Sequence, residues 1–231
     1  MIMNNILCTI CVRGGSKGVK NKNMKMIKGK PLIFYSLDHA KKSKLFSNVV
    51  VSSDSKKILN YCRKYNFLDI IERPANLSKD DTPKIPVIRH ALKELEKKLK
   101  KKFHIIIDLD VTSPLRKVYD IKKALNLFLN SKSKTLFSAC LSRRNPYFNA
   151  VEFKKNKIKP IKNLMKKIPG RQFAPKVYDM NASIYIWDRK TLLKSNTVFH
   201  NKTSVYLMPE ERSIDIDNSF DLKIVSYLLK K

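Results

Sequence analysis

Ile6-Leu-Cys-Thr-Ile-Cys11 runs straight into Val12-Arg-Gly-Gly-Ser-Lys-Gly-Val-Lys-Asn-Lys-Asn23. The first six residues read as a short apolar β-strand. The twelve that follow read as a loop carrying three glycines and four cations, Arg13, Lys17, Lys20 and Lys22. Glycines let a backbone turn sharply and bring its N–H groups close to an anion. Cations neutralise several negative charges together. Open α/β sheets bind ligands beyond the carboxyl ends of their strands. The loop is therefore expected to hold a polyphosphate there. Glycines at 14, 15 and 18 fit neither GxxxxGK[ST] nor GxGxxG. The competing reading is a solvated lysine-rich turn, which leaves the glycine spacing and the preceding strand unexplained.

Outward from this loop, short apolar runs alternate with helix-length amphipathic stretches. Pro31 to Lys42 reads as a helix, Asn48 to Ser52 as a strand, and Asp54 or Ser55 as the cap of a helix reaching about Tyr65. Asp69 to Ile71 is a further short strand, and Arg73 to Thr82 a loop. Apolar residues at 85, 88, 92, 95 and 99 give Lys84 to Lys102 a helical period. Phe103 to Leu109 reads as a strand, Val118 to Leu129 as a helix and Thr135 to Leu141 as a strand. Ala182 to Trp187, Val205 to Met208 and Ser213 to Ile216 read as strands, and Ser219 to Leu229 as a closing helix. The alternation predicts a three-layer α/β fold around a mainly parallel sheet. It breaks between residues 143 and 179, where prolines and lysines punctuate short apolar pieces. That stretch is expected to be a β-rich excursion serving as a dimerisation arm, set against a plain irregular loop.

Composition narrows the classes. The 231 residues suit one domain, and 43% hydrophobic content suffices for a core. A net charge of +30 suggests a polyanionic partner. However, the 39 lysines outnumber 10 arginines and are spread through every predicted helix. Nucleic-acid readers rely on arginine for bidentate contacts, so no specific nucleic acid is expected. Cys8-x-x-Cys11 lies inside the first strand, with no second pair after it, and reads as buried free thiols. Reduced cysteines and the lack of a signal-like start point to a cytoplasmic protein. No apolar run is long enough for membrane insertion.

Two acidic pairs, Asp108-x-Asp110 and Asp215-x-Asp217, sit at predicted strand ends. Residues i and i+2 of a strand share a face. Each pair thus presents two carboxylates together, a spacing suited to a hard divalent cation bridging to a polyphosphate. Capping or ordinary contact with lysines is the alternative, and the stronger one for Asp108, deeper in its apolar run. Thr112-Ser-Pro-Leu-Arg116 offers hydroxyls and a guanidinium for phosphate or sugar, although Ser113 equally reads as a helix cap. Arg171-Gln172 and Asn181 flank a core strand, where an arginine suits a carboxylate. No Ser-His-Asp or Cys-His set is legible, and the four histidines lack metal-ligand spacing.

Taken in order, the Arg13 loop, Thr112-Ser-Pro-Leu-Arg116, Arg171-Gln172 with Asn181-Ala-Ser-Ile-Tyr185, and Asp215-Ile-Asp217 resemble the CMP-sugar synthetases. These enzymes activate nine-carbon α-keto acid sugars of the sialic and legionaminic acid type. The resemblance implies a Rossmann-like nucleotidyltransferase fold, one cytidylyltransferase domain over 1–231, and a dimerisation arm at 143–179. It further implies a homodimer, Mg²⁺ as metal, and CTP and a nonulosonic acid as substrates. The product would be a CMP-sugar for surface glycan or flagellin glycosylation. By position, Arg13, Gly14, Gly15, Ser16, Lys17 and Lys22 would hold the triphosphate and Asn23 the cytosine, with Arg73 in support. Asp110, Thr112, Ser113, Arg171, Gln172 and Tyr185 would face the sugar, and Asp215 and Asp217 would carry the metal. Arg13, Lys22, Asp110 and Asp217 would be catalytic. Synthetases for the eight-carbon sugar Kdo carry a different acidic motif in place of TSPLR.

Two departures stand out. Many sialic acid members have glutamine where this chain has Asp110, and an ionised acid cannot donate the amide hydrogen bond. A family glycine is Ala182, a small change by size. Together with Arg143-Arg-Asn-Pro-Tyr-Phe148 and Tyr178-Asp-Met-Asn181, the chain looks closest to the legionaminic acid branch.

Overall fold

The computed structural model describes residues 5–15, 18–162 and 169–229. Strand β1 (Ile6–Cys11) matches its expected bounds, and the loop after it carries a 3₁₀ turn at Lys22–Met24. A two-residue ribbon follows, β2 (Met26–Ile27) and β3 (Lys30–Pro31), then helix α1 (Leu32–Ser43). Next come β4 (Asn48–Ser53), α2 (Lys56–Cys62), β5 (Leu68–Glu72), α3 (Lys84–Leu99) and β6 (Ile105–Leu109). Ser55 caps α2, accepting from the Ile58 N–H. Helix α4 (Val118–Asn130) and β7 (Thr135–Leu141) precede a hairpin of β8 (Val151–Lys154) and β9 (Lys157–Pro160). The chain closes through β10 (Tyr178–Asp188), α5 (Arg189–Lys194), β11 (Thr203–Leu207) and α6 (Ser219–Leu228).

The central sheet runs β11-β7-β10-β6-β1-β4-β5. Only β10 opposes its neighbours; the pairings β11–β7, β6–β1, β1–β4 and β4–β5 are parallel. Alternation along the strands feeds two cores. Cys8, Ile10, Val49, Val51, Ile105 and Ile107 face one way and pack with α1, α2, α4 and α6. Leu7, Val50 and Ile106 face the other way, onto Ile88, Leu92 and Leu95 of α3 and Leu192 of α5. The result is three layers around a mainly parallel sheet. Among the described residues no helix is long and apolar enough to cross a membrane.

Some expectations need correction. Residues 213–216 form no strand; no strand pairs with the segment, and its backbone is tied to the β6 end where the Ile216 N–H donates to the Thr112 carbonyl at 2.9 Å. Ser113 does not cap α4, whose N-cap is Lys117. Helix α2 stops at Cys62, short of Tyr65. Within 143–179 the described β structure is the β8–β9 hairpin, closed by Lys155 and Asn156, both at positive φ, and the first two residues of β10, which pair with β7. Cys8 and Cys11 are free, as are Cys62 and Cys140.

Candidate active site

A cleft of about 460 Å³ opens at the carboxyl ends of β1 and β6. Its walls bring together Arg13, Gly15, Gly18, Lys22, Asn23, Arg73, Asp110, Thr112, Asp215 and Asp217. Four segments far apart in sequence thus converge, because parallel strands place every strand-to-helix loop at one edge of the sheet.

The glycine loop is fixed from several sides. Gly14 N–H donates to Asp54 Oδ1 at 2.8 Å, and the Asn23 side-chain amide donates to the Arg13 carbonyl at 2.9 Å. The Arg73 guanidinium, buried, donates to the carbonyls of Val12 (2.8 Å) and Ser52 (2.7 Å) and so ties β1 to β4. Gly18 lies against the Asp215–Asp217 segment so closely that a Cβ there would sit 1.9 Å from the Asp217 carbonyl oxygen. Arg13 pairs with Asp80. Lys22 Nζ donates to the Ile216 carbonyl at 2.5 Å and lies 3.4 Å from Asp217 Oδ1. Ser16 and Lys17 lie outside the described residues.

Asp110 is held on both oxygens. Oδ1 accepts from the Thr112 N–H (3.1 Å) and hydroxyl (2.9 Å), and Oδ2 accepts from Lys84 Nζ at 2.5 Å. Burial pushes this carboxyl up, but the Lys84 charge and these hydrogen bonds outweigh it and hold it at about 2. Asp215 goes the other way. Burial, then the charges of Asp110 and Asp217, push it up to about 6 against opposing help from Thr112 and Lys22. Its Oδ1 is buried and meets no hydrogen-bond partner. Asp217, three-quarters exposed, faces the same cleft. A buried carboxylate oxygen without a partner, beside further carboxylates, is the chemistry of a site that accepts a cation. Among the described residues no three His, Cys, Asp or Glu side chains form a metal-binding group. Two carboxylates completed by phosphate oxygens and water is the usual arrangement for magnesium.

Other expected site residues fall elsewhere. Ser113 is fully buried, and its hydroxyl donates to the Asn181 carbonyl at 3.1 Å; it supports β10 and does not face the cleft. Arg116 is equally buried. It donates to the Ser183 carbonyl (2.7 Å) and the Ser36 hydroxyl (2.8 Å), a clamp joining β10 to α1, so it has no face open to phosphate. Arg171 and Gln172 fall in a 3₁₀ turn, and the Gln172 side chain is exposed. Tyr185 stacks on Trp187 with centroids 5.6 Å apart and borders a second, smaller pocket. Asp108 is buried, accepting from the Thr9 hydroxyl at 2.7 Å. Sequence reasoning missed Lys84, at the start of α3. Its signal was faint, one lysine among 39.

The sequence model of the family described as Cytidylyltransferase matches residues 7–222. The chain is 46% identical to a CMP-N,N'-diacetyllegionaminic acid synthase of Campylobacter jejuni, over 98% of this chain and 96% of that protein. It is 44% identical to a post-translational flagellin modification protein B of Campylobacter coli, over 99% and 97%. A pseudaminic acid cytidylyltransferase of Campylobacter jejuni shares 31% over 97% and 96%. Among solved structures, a CMP:2-keto-3-deoxy-manno-octonic acid synthetase complexed with CTP aligns with a TM-score of 0.69. It is 15% identical, covering 97% of this chain and 98% of that one, a likeness of fold alone.

Proposed function

The chain belongs to the cytidylyltransferase family, an enzyme of nucleotidyl transfer, and from that premise we propose that its cleft joins CTP to a nine-carbon α-keto acid sugar. The products are the CMP-sugar and pyrophosphate. The sugar's anomeric hydroxyl attacks the α-phosphorus in line, the new P–O bond forms, the bond to pyrophosphate breaks, and the hydroxyl proton leaves. The observation that carries this reading is the convergence of the Arg13 loop with Asp215 and Asp217 at one sheet edge.

Arg13 and Lys22 would face the triphosphate, and Lys22, tied to the Ile216 carbonyl, would keep the loop in register with the acidic segment. Gly15, with open space where a side chain would stand, leaves room for phosphate oxygens to approach backbone, while Gly14 packs against Ser55 and Asn23 and Arg73 hold the loop that receives the nucleotide. Asp215 and Asp217 would hold Mg²⁺, which when bound spreads the charge of the phosphates. Most of the acceleration then comes from positioning and electrostatics, as in other phosphoryl transfers. The 46% identity to the legionaminic acid synthase of C. jejuni, against 31% to the pseudaminic acid cytidylyltransferase of the same species, favours a legionaminic-type acid.

A homodimer is part of the proposal. The β8–β9 hairpin places Val151, Phe153, Ile158 and Pro160 on one face, and all four are exposed. A lone two-stranded hairpin is marginal in water, so an apolar face of this kind calls for a cover. Arg171 and Gln172, which follow the hairpin in the chain, would serve the sugar end of a partner subunit's cleft.

The test is pyrophosphate release with Mg²⁺, scanning the four nucleoside triphosphates against legionaminic, sialic and pseudaminic acids and Kdo. Turnover confined to CTP with a nine-carbon acid is expected. Folded protein silent on every pair would overturn the reading.

A further inference from the structure

Besides Arg13 and Lys22 of the glycine loop and the buried Arg73, the cleft is lined by a further cation, Lys84. Lys84 enters from the first turn of α3, and its ammonium sits between two carboxylates and an aromatic ring. Nζ lies 2.5 Å from Asp110 Oδ2, 2.9 Å from Asp108 Oδ2, and 4.9 Å from the Tyr185 ring centroid. Asp108 is buried and fixed on its other oxygen by Thr9, so it cannot move to release the lysine. An ammonium has three protons. One is given to Asp110 Oδ2, and the ion pair with Asp108 and the Tyr185 ring face hold the ammonium beside that carboxylate. Arg13 and Lys22, by contrast, reach the cleft from the glycine loop.

Asp110 is the member of this network that still has something to offer. A carboxylate accepts about four hydrogen bonds. Three of Asp110's come from within the protein, two from Thr112 and one from Lys84. Its side chain remains 22% exposed and lines the cleft.

We propose that Lys84 is a positioning residue that locks Asp110 as a fixed, acceptor-only group, and that Asp110 thereby selects a hydroxyl or amide N–H donor on the sugar. The proposal rests on the function assigned above and adds to it a determinant of sugar choice. A neutral amide in place of Asp110 would both donate and accept. The Lys84–Asp110 pair removes the donor and fixes the acceptor's direction. A buried acceptor left without its donor is costly, so a sugar lacking that donor is discriminated against. The low proton affinity of Asp110 agrees with this role, since the group stays ionised across the working range.

The experiment compares wild type with D110N, K84M, K84R and the K84M/D110N pair. KM for CTP and KM for the accepted nonulosonic acid are measured separately, and folding is checked by thermal melting. D110N is expected to raise KM for the sugar about tenfold, with KM for CTP within about twofold. K84M should act in the same direction, K84R should recover part of the loss, and the double variant should be no worse than the worse single one. K84M leaves Asp108 buried without its cation, and it is the variant at risk of misfolding. D110N keeps the Lys84–Asp108 pair and carries the test in that event, alongside K84R. Unchanged sugar KM in folded D110N would overturn the proposal. So would additive losses in the double variant, or a K84M effect confined to CTP, which would make Lys84 a phosphate ligand. A wild type that turns over none of the acids would fail the function itself, an outcome distinct from normal wild type with indifferent variants.

Discussion

Gly18 and the Asp217 carbonyl are in a contact that no side chain can enter: a Cβ on Gly18 would lie 1.9 Å from that oxygen. The glycine loop and the acidic segment are thus set against each other, backbone on backbone. Gly18→Ala must push the two apart. Misplacement of about 1 Å costs on the order of 100-fold in well-oriented reactions. We expect kcat/KM to fall by about that factor, with a modest loss in melting temperature. A Gly18→Ala enzyme with near-normal kinetics would show that the two segments need not be in register.

Asp217→Ala should lower kcat on the order of 100-fold and leave the fold intact, because the side chain is three-quarters exposed. Steady-state rates across a magnesium titration check this. Near-normal turnover at saturating Mg²⁺ would remove Asp217 from the metal site. Chelation of the wild type should abolish turnover, with recovery on adding Mg²⁺.

Asp215 sets a pH dependence of known sign. Its folded value, about 6, stands above the ordinary 3.8, so the folded state binds more protons between these limits. Metal-free protein should therefore gain stability, relative to Asp215→Asn, as pH falls from 7 to about 4. The gain is on the order of 1–3 kcal/mol. Urea melts of both proteins in chelator at the two pH values measure it. Magnesium needs the ionised form, so its apparent affinity should fall as pH drops through 6. A constant difference between the two proteins would place Asp215 at an ordinary carboxyl value.

Ala182 sits at φ 52, in the left-handed region that favours glycine. The family's glycine at this place answers to that backbone, so the change that looks small by size is a conformational one. Neighbouring bonds hold the bend: Asn181 donates to the Ser213 hydroxyl at 2.9 Å and accepts from Ser138 at 2.6 Å. Ala182→Gly should stabilise the protein by about 0.5–1 kcal/mol, the left-handed cost less the added freedom of the unfolded chain. Denaturant unfolding reads it directly, and a destabilised variant would contradict the strain.

Phe153, paired with Ile158 across the hairpin, is the most exposed large apolar side chain of that face. Phe153→Asp should shift the protein from dimer to monomer in light scattering at micromolar concentration. Its own fold should be unaffected, since the side chain packs on nothing in its own core. A variant still dimeric would move the interface elsewhere, and a monomeric wild type would overturn the dimer.

The sheet was legible because its strands carry their own signal. Ile6–Cys11 and Thr135–Leu141 are apolar runs with turn residues at both ends, and both appear with the expected bounds. The segment at 213–217 was harder. Its alternation of Asp215, Ile216 and Asp217 is real, with Ile216 buried and both acids in the cleft, yet it has no neighbouring strand to pair with. Periodicity records which way side chains point and says nothing about who pairs with the backbone. Arg116 and Ser113 were misjudged for a related reason. A polar residue after a strand end looks the same in sequence whether it meets a ligand or a buried carbonyl. Lys84 was invisible because its partners, Asp108 and Asp110, are brought to it only by the packing of α3 on the sheet.

Among the described residues, three of the four cations lining the cleft already have anions beside them; the fourth, Arg73, donates to backbone carbonyls. Arg13 has Asp80, Lys22 has Asp217, and Lys84 has Asp108 and Asp110. A nucleotide entering this space exchanges with resident carboxylates and does not merely add to open positive charge. The protein thereby acts at this spot as its own counter-ion, despite a net charge of +30. Fewer solution ions are then released on binding, so nucleotide affinity should decline with salt more gently than the number of cations in the cleft implies. Non-specific polyanions, which can reach only the unpaired lysines of the outer surface, should show the steep decline instead.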